Sequence, residues 1–230
     1  FDVAPIIVKI CLETVKQFYA DCNVIEISKN NYKEFTDIHP KILEGFEKGK
    51  ISIQTFSDIL RFNLLKINGG VWIDSTIFFS NKYDVFSSLK NKPIESICFS
   101  TSEDFLKYKG ESCNWSGYLF ASRKNSVFTC VMCEIFEKYY LNKGSYPIYF
   151  FIDVALMICK INKIDAGALD NITKKTGDMF FLHRMLNQPV DECSINILKT
   201  IPQKLSWQFE PNGQKNTFYE RIFKEDCEEC

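Results

Sequence analysis

Positive charge is not in excess in this chain: 28 Lys and Arg stand against 29 Asp and Glu, a formal net charge of −1. Sequence-independent nucleic-acid binding works by releasing counterions to a basic surface, so this balance argues against it. Apolar runs are also short, and none approaches the ~18 residues that would carry a helix across a bilayer. No internal repeat, low-complexity linker or composition break divides the chain, and its 230 residues read as a single domain. A basic-then-apolar leader is missing too, so secretion is not expected. The sequons Asn114-Trp-Ser and Asn171-Ile-Thr would matter only in a secreted chain.

Cysteine, by contrast, is plentiful. Ten residues are scattered from Cys11 to Cys230 without the spacing of a disulfide framework, in a chain long enough to fold unstapled. Cys130 and Cys133 lie in the apolar helical run "VFTCVMCEIF", where thiols pack as small hydrophobes. The terminal "CEEC" has metal-like spacing but no second pair to complete a zinc site. A reducing, cytoplasmic setting with free thiols is the expectation. Apolar residues make up 46% and charged residues 25%, ordinary values for a chain that builds its own core.

Periodicity orders the elements. Pro5 suits the first turn of a helix through "IIVKICLETVKQF", and "NVIEIS", Asn23 to Ser28, reads as a short strand. Short helical segments are expected around Tyr32–Thr36 and Pro40–Lys48. In "FSDILRFNLLKINGGVWIDSTIFFS", Phe56, Ile59, Leu60, Leu64 and Ile67 share one helical face, and Gly69-Gly70 stops the helix. "VWIDSTIFF" follows, apolar on both alternations as a strand covered on both faces would be. Strands are expected at Ser96–Thr101 and Gly117–Arg123, then helices at Val127–Leu141 and Ile148–Ile161. "NILKTIPQKLSWQ" is strand-like near its end. Alternating helix and strand predicts an α/β fold with a mixed, mostly parallel central sheet flanked by helices.

Three charged residues interrupt this apolar pattern. Asp74 closes the strand Val71-Trp72-Ile73, a place where ligands bind in open α/β sheets and where a carboxylate can hold a hard cation. Asp58 and Arg61, at i and i+3, share a helix face taken to be polar; one accepts and the other donates, as a grip on sugar hydroxyls requires. A plainer account treats Thr55-Phe-Ser-Asp58 as a capping box and Asp58–Arg61 as a surface ion pair worth a few tenths of a kcal/mol. An acid after a strand also serves as a turn former. His183 is a metal ligand by chemistry and a core or surface histidine by the plainer account; His39, before Pro40, is a turn residue.

Taken together, "SDILRFNLLKINGGVWIDST" resembles the signature of glycosyltransferases with a DXD sugar-binding region, in the branch of capsular polysaccharide synthesis proteins. Ser57, Asp58, Arg61, Gly69, Gly70, Trp72 and Asp74 carry the likeness. It continues more faintly through "NWSGYLFASRKNSVF", "YPIYFFIDVAL" and "LNQPVDE…IPQKLSWQ". The resemblance implies a GT-A-like nucleotide-sugar transferase fold that lacks the family's first N-terminal strand. It implies hexose transfer from a UDP-sugar, UDP-galactose or UDP-glucose foremost, to a lipid-linked polysaccharide repeat, with retention at the anomeric carbon. Such an enzyme would work at the inner face of the cell membrane as a peripheral protein.

By the same resemblance, Asp74 and Asp153 are catalytic, with Asp74 on the metal and diphosphate. Ser57, Asp58, Arg61, Asn114 and Trp115 belong to the sugar site, Trp72 stacks near the nucleotide, and Lys204 steadies the diphosphate. The plainer readings are a polar-face helix residue for Asp153, a strand-edge lysine for Lys204, and turn and core packing for Asn114-Trp115. Mn²⁺ or Mg²⁺ is implied as cofactor, arriving with the donor diphosphate. One departure bears on this: the DXD is incomplete, because Thr76 stands where the second acid belongs. A non-catalytic nucleotide-sugar-binding relative is the alternative that this loss leaves open.

Overall fold

A computed structural model describes residues 4–84, 87–96, 99–100, 115–148, 151–172 and 175–223. Helix α1 (Ile6–Phe18) starts directly after Pro5. Helix α2 (Pro40–Glu47) has Pro40 in its first turn, and the Nδ1 of His39 accepts the Lys41 N–H at 3.1 Å. Helix α3 (Ile53–Asn68) leads through Gly69 into strand β1 (Gly70–Ile73), and β2 (Ile77–Phe78) follows a turn. Then come β3 (Ile94–Ser96), β4 (Phe99–Ser100) and β5 (Leu119–Ser122). Helices α4 (Val127–Lys143) and α5 (Phe151–Ile161) precede β6 (Lys175–Thr176). Helices α6 (Phe181–Met185) and α7 (Glu192–Leu198), strand β7 (Gln203–Lys204) and helix α8 (Phe218–Phe223) complete the described chain.

The expected mostly parallel central sheet is not what forms. β5 is the centre of a three-stranded sheet and pairs antiparallel with both β1 and β3. β2 pairs antiparallel with β7, and only the two-residue strands β4 and β6 run parallel. Helices hold far more of the described residues than strands do. The error has a physical source: an apolar run reports burial and is silent on strand direction. Parallel pairing needs a crossover of a dozen or more residues, usually helical. Among the described residues between β1 and β5, the helical content is one short 3₁₀ turn, Ser87–Lys90. "VWIDSTIFF" also proves to be two strands, because Asp74 opens a turn in which Ile77 N–H donates to Asp74 C=O at 3.0 Å.

"NVIEIS" is irregular rather than a strand. Asn31 captures the Ser28 N–H and the Glu26 carbonyl, each at 2.8 Å, so side-chain bonds take up backbone groups a ladder would use. Of the strand expected at Ser96–Thr101, Ile97, Cys98 and Thr101 lie outside the described residues.

Helix α3 is the spine of the principal core. Its N-cap is Ser52, whose hydroxyl accepts the Thr55 N–H at 3.2 Å, one turn earlier than the expected capping box. Phe62 meets Phe120 of β5 edge-on at 5.5 Å and also packs near Phe128 and Phe136 of α4. Gly69 ends the helix at φ +69°, and a Cβ there would stand 2.7 Å from the Lys124 backbone nitrogen. Only glycine meets both conditions. A second cluster joins α1, α6 and α8 around Phe218 and Leu182. A third, with Ile77, Phe79, Leu119 and Met179, lies under β2.

Candidate functional site

Helix α3, the β1–β2 turn and strand β7 bring the predicted charges to one place. Arg61 projects from the third turn of α3, and its Nη1 donates to Asp58 Oδ1 at 2.7 Å. Its Nη2 reaches Asp74 Oδ1 at 3.3 Å, and the guanidinium lies 5.2 Å from the Trp72 ring centroid. Trp72 and Asp74 sit two apart on β1 and its exit, so they share a face. Trp72 Nε1 donates to Asp74 Oδ1 at 2.7 Å. From the other side, Lys204 Nζ approaches Asp74 Oδ2 at 3.2 Å and also bonds the Thr76 hydroxyl.

Backbone pairing fixes these positions. Asp74 N–H donates to the Tyr118 carbonyl at 2.9 Å, extending the β1–β5 ladder by one residue. In the β2–β7 register Ile77 faces Lys204, while Leu205 N–H donates to the Thr76 carbonyl at 2.9 Å. Lys204 is thus held beside a turn 130 residues away in sequence.

The Asp58–Arg61 face is not polar, contrary to expectation. Side-chain exposure is 7% for Arg61 and 16% for Asp58, with 24% for Asp74 and 20% for Lys204. The reason is that β5 and α5 close over this side of α3. Gly117, at the entry to β5, leaves the space the guanidinium occupies: a Cβ on Gly117 would meet Arg61 Nη1 at 2.6 Å. Arg61 Nε is buried and has no hydrogen-bond partner among the described residues.

The carboxyls respond in opposite directions. Burial pushes Asp58 up to about 6; Asp74 and Asp153 add to the rise, and the charge and hydrogen bond of Arg61 offset part of it. Burial works on Asp74 in the same sense. There Arg61 and Lys204, with hydrogen bonds from Trp72 and Lys204, outweigh it and hold the carboxyl below its usual value. The surface-pair account of Asp58–Arg61 fails on these numbers. An ionised Asp58 costs folding free energy, and groups kept charged at such a cost cluster at functional sites.

The remaining predicted residues divide. Asp153, half-buried near the start of α5, is close enough to repel the Asp58 charge. Ser57 is half-buried on α3 beside Asp58. Trp115 is buried in the principal core, and Asn114 lies outside the described residues. His183 is on α6 with its ring 6.0 Å from Phe209, in the second cluster. Sequence reasoning passed over Gly117 and over Tyr118, whose ring lies 5.8 Å from Lys204 Nζ. A glycine at the entry of a predicted strand was the available signal for the first.

The implied divalent cation can be tested against this donor set. Hard cations take six or more oxygen ligands. Asp74 already accepts two N–H groups on Oδ1 and an ammonium on Oδ2, three of about four lone-pair sites. Among the described residues no group of three or more His, Cys, Asp or Glu could hold a metal ion. The residues as placed do not fit a resident divalent ion.

The cluster sets two cations, Arg61 and Lys204, against two carboxyls, Asp58 and Asp74, and so presents both donors and acceptors at one place. A family model described as capsular polysaccharide synthesis protein matches residues 1–222, and the chain belongs to that family. No curated protein and no solved structure matches it. Among the described residues no helix is long and apolar enough to cross a membrane, and six cysteines, Cys11, Cys22, Cys130, Cys133, Cys159 and Cys193, are free.

Proposed function

We propose that this chain is a hexosyltransferase of capsule assembly, moving a hexose from UDP-galactose or UDP-glucose to a lipid-linked polysaccharide repeat at the inner face of the membrane. The observation that carries the reading is the convergence of Arg61 and Lys204 on the two oxygens of Asp74. A guanidinium and an ammonium fixed on the two oxygens of one strand-end carboxylate are charge-assisted donors set in place by the fold, of the kind diphosphate oxygens accept.

In this reading Asp58 and Arg61 hold sugar hydroxyls, Trp72 bounds the nucleotide side, and Lys204 takes the diphosphate. Asp74 orients both cations. During transfer the bond from the anomeric carbon to the diphosphate oxygen breaks, and its electron pair leaves on that oxygen. The acceptor hydroxyl oxygen forms the new bond, and Asp153 takes the proton it releases. Stabilising the departing charge with fixed donors lowers the barrier without reorganisation at the moment of reaction.

UDP release from UDP-galactose and UDP-glucose, with and without a lipid-linked oligosaccharide acceptor, tests the reading. The wild-type chain should release UDP, and Asp74→Asn, which leaves Lys204 without its carboxylate and Arg61 with Asp58 alone, should lower the rate about 100-fold. Equal rates in both proteins, or no release from any nucleotide sugar, would overturn it.

A further inference from the structure

We infer that Lys204 takes the place of a divalent cation at the Asp74–Thr76 turn, so that the diphosphate is held without metal. The inference rests on the proposed donor. It starts from the departure at position 76. Two carboxylates at i and i+2 of a turn carry two negative charges and match a divalent ion. Here the third position is a buried threonine, so the turn carries one negative charge, from Asp74.

One ammonium balances that charge. Lys204 Nζ bonds Asp74 Oδ2 and the Thr76 hydroxyl together, spanning the same two side chains an ion would span. Its position is built rather than casual. The Lys204 N–H donates to the Met179 carbonyl at 2.6 Å, and the next residue's N–H bonds the Thr76 carbonyl. The side chain passes beside the Tyr118 ring and is only one-fifth exposed. An ammonium has three donors, and these contacts use two. The third has no partner among the described residues and is available to a phosphate oxygen. Arg61 supplies a second fixed positive charge on the other oxygen of Asp74, so a phosphate at this end meets two cations that arrive with the fold. That arrangement also explains why Asp74 offers so little to a metal.

Calorimetric titration of UDP and of inorganic pyrophosphate into the full chain, in EDTA and in Mn²⁺, tests this. Wild-type protein should bind UDP in EDTA within about threefold of its affinity in Mn²⁺. Lys204→Met should weaken UDP at least about tenfold in EDTA, the loss of one charge-assisted hydrogen bond. Combining Lys204→Met with Thr76→Asp rebuilds an acid pair, and UDP binding should return only when Mn²⁺ is present. Binding of UDP by wild type solely in Mn²⁺ would overturn the inference and leave the donor reading standing; this measurement needs no variant to fold. Unchanged affinity in Lys204→Met would overturn it as well. If UDP, GDP and CDP all fail to bind in either condition, the donor reading falls and takes the inference with it.

Discussion

Replacing Asp58 by Asn removes one titrating group from the cluster, and its effect on stability has a calculable sign. The folded carboxyl is pushed up to about 6 from an ordinary value of 3.8, chiefly by burial, with repulsion from Asp74 and Asp153 and partial relief from Arg61. Between those values the folded chain binds more protons than the unfolded chain. The free energy of unfolding contributed by this group therefore falls as pH rises through that window, and the full cost is present above about 6. Two units at about 1.4 kcal/mol each give about 3 kcal/mol in all. Asparagine exchanges no proton, so the variant escapes this cost. The stability of Asp58→Asn minus that of wild type should grow by about 2 to 3 kcal/mol between pH 4 and pH 7.5 and be level above that. A constant offset, from Arg61 losing one acceptor, drops out of the comparison. Urea unfolding of both proteins across this range measures the difference directly. A difference independent of pH, or one that grows as pH falls, would refute the buried, charged Asp58. The same variant should transfer sugar more slowly at neutral pH, because the hydroxyl acceptor has lost its charge.

Arg61→Met strips a buried cation from two carboxylates and should cost about 3–5 kcal/mol, lowering Tm by roughly 6–20 °C in calorimetry; a loss under 1 kcal/mol would restore the surface-pair account. Gly117→Ala should displace the guanidinium, since the new Cβ would stand 2.6 Å from Nη1. Its expected signature is weaker UDP-sugar affinity with a smaller fall in Tm than Arg61→Met gives, measured on one preparation. Thiol reactivity in the native protein should follow burial. Among the described cysteines, exposed Cys193 should react first at neutral pH, while Cys11 and Cys133, pushed up to about 12, and Cys159, pushed up to about 11, should lag in a time course read by mass spectrometry. Under denaturing, non-reducing conditions close to ten thiols should be counted, and a shortfall of two or more would place disulfides in the chain.

Much of the site was legible in one segment because its rules are local. Helical spacing from Phe56 to Ile67, the glycine stop and the following apolar run depend on neighbours within a turn or two, and they deliver Asp58, Arg61, Trp72 and Asp74 in order. Lys204 was reachable only through the family likeness, since nothing in "IPQKLSWQ" by itself points to a turn 130 residues earlier. Strand direction was out of reach for the same reason: β1 and β3 both lie antiparallel to β5 because of how distant segments meet, whereas hydrophobic pattern records only that they are covered. Burial of Arg61 was misjudged because periodicity describes one helix, and the elements that close over its second face, β5 at Gly117 and the start of α5, come from 56 residues onward. The sequence alone therefore determined which groups could do chemistry and the helix, turn and strand that carry them. Tertiary packing decided which of those groups touch, which carboxyl is kept charged at a cost, and that a lysine rather than a second acid completes the turn, because these depend on long-range contacts that no local pattern encodes.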